Sequence, residues 1–183
     1  MNCLKKFILP YSTCYQTTLM HNMKKDSMEN IMLQNPIVVV LDTNVCLDLF
    51  VFHDPRWLAL INALQKGNLR AVTNPGCRDE WLAVLQYKHL PISDDNRPAI
   101  INAFDNLIHF TNTETSTNIR LPVIRLPVCS DPDDQQFMEL ARDCKANYLI
   151  TKDKALLKCA KKVMNLRLFE ILTPENFIKN VKF

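Results

Sequence analysis

Between Ile37 and Leu41 the chain reads I-V-V-V-L, an apolar run without polar alternation, and Asp42 follows at once. A strand that is apolar on both faces is one covered by helices on both sides, as in a parallel sheet. The next stretch, N-V-C-L-D-L-F-V-F, is continuously apolar except at Asp48, which reads as a polar interruption. D-P-R-W-L-A-L-I-N-A-L-Q-K-G then carries full helix punctuation, with Asp54 as cap, Pro55 at the first helical position and Gly67 as the stop. Leu69 to Thr73 predicts a short strand, and Trp81, Leu82, Leu85 and Tyr87 recur at helical spacing after it.

The alternation continues to the end of the chain. Ile100, Ile101, Phe104, Leu107 and Ile108 lie behind the polar starters S-D-D-N and predict an amphipathic helix. A strand is expected over I-R-L-P-V-C-S (124–130), a helix from D-P-D-D onward, a strand over N-Y-L-I-T and a helix over K-A-L-L-K-C-A. A last strand is expected over Leu166–Ile171, followed by a short helix capped by Thr173. Strands alternating with helices argue an α/β domain with a mostly parallel sheet and helices on both faces. Residues 1–34 show no such period and carry Met20, Met23, Met28 and Met32, so they are expected to be a disordered leader or a start assigned too early, with the domain over 35–183.

Composition narrows this reading. At 183 residues, 48% hydrophobic and 22% charged, the chain is long enough to bury one core without disulfides. A net charge of +3 is too mild to indicate a polyanion partner by itself. The seven cysteines form no C-x-x-C pair, which fits free thiols in a reducing cytosol. The apolar trio after Lys5 and Lys6 stops at Pro10, too short for a secretory signal, and no run of about 18 apolar residues suggests a membrane span, so a cytoplasmic location is expected.

The candidate chemistry lies in where the acids fall. Asp42 and Asp153 end apolar strand runs, while Glu80 and Asp134, with Asp131 just before it, stand near the starts of helices leaving the same edge. In open α/β sheets that edge is where ligands bind. Each acid alone also reads as a helix cap or a solvated side chain, and Asp131 with Pro132 is a serviceable cap. Together, convergent carboxylates repel unless a cation sits among them, and an oxygen-only set suits the hard ions Mg²⁺ and Mn²⁺. One or two such ions would support hydrolysis of a phosphodiester by an activated water, with no side chain attacking covalently.

The strings V-V-L-D-T-N-V, D-P-D-D-x-x-F-x-E-L-A and Y-L-I-T-K-D-x-x-L-L resemble those of PIN domains, in the branch described as toxins of toxin-antitoxin pairs, over about residues 37–178. The resemblance implies a three-layer α/β/α sandwich and a Mg²⁺- or Mn²⁺-dependent endoribonuclease. It implies Asp42, Glu80, Asp134 and Asp153 as the catalytic and metal-binding acids, supported by Thr43, Asn44 and Thr151, with Asp131 as the alternative ligand. Asp134 is favoured over Asp131 by its spacing to Ala141. The implied partners are an RNA substrate and an antitoxin protein, with a homodimer as a further expectation. Where the branch often has Arg before the acidic string, this chain has Ser130. Lys152, Lys154 and Lys158 are candidates for RNA-phosphate contacts, although lysines at this spacing also read as the solvated face of a helix. Two other readings compete. A haloacid dehalogenase-like phosphatase would need D-x-D, but position 44 is Asn and position 46 is Cys. A module that binds RNA or protein without cutting would show no metal-dependent cleavage.

Overall fold

The computed structural model describes residues 36–111 and 124–183; the expected leader over 1–34 lies outside the described residues. Strands β1 (Ile37–Leu41), β2 (Leu69–Thr73), β3 (His109–Phe110), β4 (Tyr148–Ile150) and β5 (Glu170–Leu172) form one sheet in the order β3-β2-β1-β4-β5. Every neighbouring pair is parallel. Helices α1 (Thr43–Phe50), α2 (Leu58–Gln65), α3 (Pro75–Val84), α4 (Arg97–Leu107), α5 (Gln135–Asp143), α6 (Lys154–Asn165) and α7 (Pro174–Asn180) make the crossovers and the outer layers.

Strand alternation divides the core in two. Val39 and Leu41 of β1, Leu69 and Ala71 of β2 and Ile150 of β4 face one layer, where they pack with residues of α1, α2, α4 and α7. Val40, Val72, Leu149 and Ile171 point the other way and meet α5 and α6 through Phe137, Met138, Leu140, Leu156 and Val163. Side chains on successive strand positions point to opposite faces, so a strand apolar throughout must be covered twice. The three-layer α/β expectation therefore holds, with an all-parallel sheet.

Trp81 of α3 anchors the first layer. It is 1% exposed, stacks on Phe104 with ring centroids 5.1 Å apart, and meets Phe50 edge-on at 6.1 Å. Trp81→Ala is expected to lower the unfolding free energy by ~3–5 kcal/mol, read from the denaturant midpoint.

Three sequence expectations need correction. Residues 124–130 form no strand: Leu126 and Cys129 pack into the second core, but Pro127 has no N–H to give to a sheet ladder, and the segment pairs with no strand. Helix α4 ends at Leu107, and the following His109 and Phe110 supply the short exposed strand β3. The last strand begins at Glu170, because residues 166–169 complete the turn after α6, where Arg167 adopts φ 55°. Asp54 does start its segment by accepting from the Arg56 N–H at 3.0 Å, though the first turn is a 3₁₀ turn (Pro55–Trp57) before α2. Among the described residues the five cysteines are free thiols, and no helix is long and apolar enough to cross a membrane.

Candidate active site

The strand order creates the site. The chain steps outward from β1 to β2 and β3, then returns to place β4 on the other side of β1. The gap outside the carboxyl ends of β1 and β4 is thus a topological switch point, where ligands of open α/β sheets bind. Asp42 follows the last residue of β1, and Thr151, Lys152 and Asp153 join β4 to α6.

Asp42 occupies the N-cap position of α1 yet makes no side-chain cap bond. It is 3% exposed, and its Oδ2 accepts instead from the Asn44 amide and from the hydroxyl of Thr151, which is fully buried. Burial raises the Asp42 carboxyl above its ordinary value of 3.8, against the lowering effect of the bonds from Thr151 and Asn44.

Glu80 is reached from two helices. Its Oε1 accepts from the Thr43 hydroxyl at 2.8 Å, and its Oε2 accepts from the Gln136 amide of α5 at 2.6 Å. Partial burial raises its carboxyl, and the charge of Asp42 raises it further. Asp153 follows its structural reading and caps α6, with Oδ1 accepting from the N–H groups of Ala155 and Leu156. Its own N–H donates to Thr151 Oγ1 at 2.8 Å, so the hydroxyl that supports Asp42 also fixes the start of α6.

Asp134 stands at the N-cap position of α5 without capping it, and its Oδ2 is shut off from solvent with no hydrogen-bond partner among the described residues. Its carboxyl is pushed up to about 7, first by desolvation and then by the charges of Asp42, Asp153 and Asp131. Glu80 feels Asp42 as well, so the four acids share one electrostatic neighbourhood. Asp131 is exposed and lies outside the helix; its Oδ1 accepts from the Asp133 N–H at 3.1 Å, which closes a local turn in place of the expected cap.

No group of three or more His, Cys, Asp or Glu side chains among the described residues stands in ligand array. Glu80 and Asp153 each face protein donors. The donor chemistry nonetheless fits a hard divalent cation. The set is all oxygen, and Asp134 offers a buried oxygen that nothing among the described residues satisfies.

The lysines separate. Lys154 and Lys158 are exposed on α6, and the Lys152 ammonium donates to Asp48 Oδ2 at 2.6 Å. Sequence reasoning missed Gln136 altogether. Its approach depends on Gly76, where an added Cβ would lie 2.7 Å from Gln136 Oε1. Gly76→Ala is expected to swing the flexible amide off Glu80 and weaken Mn²⁺ binding about tenfold, as Gln136→Ala should, with stability lowered by only ~1 kcal/mol. Calorimetric titration alongside thermal unfolding measures both effects.

Comparison with known proteins agrees with this geometry. No curated protein matches the chain. The PIN domain family model matches residues 38–155, which run from β1 through the acids to the start of α6. By that match, spanning more than half of its length, the chain belongs to the PIN domain family.

Proposed function

We propose that this chain is an endoribonuclease that depends on Mg²⁺ or Mn²⁺, with Asp42, Glu80, Asp134 and Asp153 holding one or two ions. The observation that carries the proposal is the acidic neighbourhood at the β1/β4 switch point, where desolvation and then the charges of Asp42, Asp153 and Asp131 raise Asp134 to about 7, and Asp42 raises Glu80 as well. Such a cluster favours a proton or a cation. When bound, the ion polarises the scissile phosphate and acidifies an attacking water.

The protein's own residues supply orientation. Asn44 and Thr151 donate to Asp42, and Thr43 and Gln136 donate to Glu80. These donors hold each carboxylate in one orientation before a cation arrives. Lys154 and Lys158, in the first turns of α6 beyond Asp153, would meet backbone phosphates, and affinity should then fall as salt rises.

A nuclease of this kind endangers its host's RNA, and this supports reading the chain as the toxin of a toxin-antitoxin pair. An inhibitor segment presenting Arg would bridge carboxylates that otherwise hold the cation. Growth arrest on expression of the chain alone supports that role; harmless expression of folded, metal-loaded protein removes it and leaves the nuclease intact. The nuclease is tested on a mixed pool of single-stranded RNA. Cleavage with Mg²⁺ or Mn²⁺ that EDTA abolishes is expected, and metal binding without cleavage would leave a module that binds RNA or protein.

A further inference from the structure

Asp48 looks out of place in the sequence, a carboxylate in the buried run of α1 between Cys46 and Leu49. It is 6% exposed and has two side-chain partners. Trp57 Nε1–H donates to Oδ2 at 3.0 Å and the Lys152 ammonium donates to the same oxygen at 2.6 Å. The Asp48 carbonyl also accepts from the Asp54 N–H at 2.9 Å, which fixes the turn that delivers Trp57.

Lys152 is attached to α1 at both of its ends. Its main-chain N–H donates to Asn44 Oδ1 at 3.1 Å, while its ammonium reaches Asp48. Asn44 and Asp48 are four residues apart and lie on one face of the helix. The residues on either side of Lys152 both belong to the acidic site: Thr151 donates to Asp42, and Asp153 is one of the four acids. A three-residue connection pinned at its middle leaves its flanks little independent movement.

We propose that Asp48 and Lys152 are positioning residues for the candidate active site. Their ion pair, seated by Trp57, locks the β4–α6 connection onto α1 and so sets Thr151 and Asp153 against Asp42. The proposal rests on the ribonuclease reading for its consequence in catalysis, and on the bonds above for its mechanical part. Drawing Lys152 away to a phosphate would leave the Asp48 charge buried with only the indole donor, an expensive state. Lys152 therefore acts through the loop and not on the RNA.

The test compares the full-length parent with Asp48→Asn, Lys152→Met, the double variant and Lys152→Arg, all at a temperature where each is folded. Each single variant should lower kcat and weaken Mn²⁺ binding by roughly 10-fold or more while KM for RNA stays within about twofold, as expected for groups that orient ligands. The double variant should lose no more than the worse single one, because both remove the same contact. Lys152→Arg keeps charge and reach, and should recover most of kcat. Amide exchange at Lys152 and Asp153 should quicken in both single variants, a readout that needs neither RNA nor metal. Unchanged exchange, kcat and Mn²⁺ affinity in folded variants would overturn the proposal. So would a raised KM and a shallower salt dependence confined to the Lys152 variants, the signature of a phosphate contact. If Asp48→Asn does not fold, the Met and Arg variants at position 152 carry the same comparison. A parent that neither binds Mn²⁺ nor cleaves RNA sinks the ribonuclease reading alone, and the exchange data still decide the clamp.

Discussion

Replacing Asp42 by Asn is expected to reduce cleavage of single-stranded RNA on the order of 100-fold or more, because losing groups that merely orient a ligand already costs roughly 10–100-fold. The fold should survive. Burial raises the Asp42 carboxyl above its ordinary value, so its charge works against the folded chain when no cation is bound. An amide of the same shape removes that charge. In EDTA the variant should therefore melt at or above the temperature of the parent, and adding Mn²⁺ should raise the melting temperature of the parent but not of the variant. A variant that cuts at the parental rate would remove Asp42 from the site.

Asp134 and Asp131 should separate as sharply. Asp134→Asn is expected to match the loss at Asp42, whereas Asp131→Asn should leave cleavage nearly intact and lower stability by ~1 kcal/mol or less. Asp131 is exposed, and its bond to Asp133 closes only a local turn. The opposite order would move the ligand role to Asp131. Asp134 also makes a prediction about pH. Its carboxyl sits at about 7 in the folded chain against 3.8 ordinarily, so between those values the folded chain holds a proton that the unfolded chain has lost. Its contribution to stability is full below about pH 4 and is lost as pH rises through about 7. Urea unfolding of the parent in EDTA should show that decline, and Asp134→Asn should flatten it. Mn²⁺ competes with the proton, so its affinity should climb over the same range.

The legibility of these features in the sequence follows from what is local and what is not. Strands β1 and β2 and helices α2, α3, α5 and α6 were readable because two-sided burial and helical spacing leave marks along a single segment. Strand β3 has only two residues, both exposed, and leaves no such mark. Residues 124–130 bear the apolar content of a strand because Leu126 and Cys129 do enter the core, but pairing also needs donors that Pro127 lacks. The four acids were visible because each ends a strand or begins a helix. Their convergence depends on the order β3-β2-β1-β4-β5, which no single segment encodes. The same holds for their supports. Gln136 meets Glu80 from 56 residues away, and Lys152 meets Asp48 from 104. The polar residue inside the buried run of α1 was the one local sign of that second contact.

The claim on which the rest depends is that these four acids hold a divalent cation, and direct Mn²⁺ titration followed by calorimetry tests it without an RNA substrate. The parent should bind one or two ions, while Asp42→Asn and Asp134→Asn should each weaken binding by roughly 100-fold or abolish it. Parental binding that persists undiminished in both folded variants, or no binding by the folded parent above pH 7, would contradict the account.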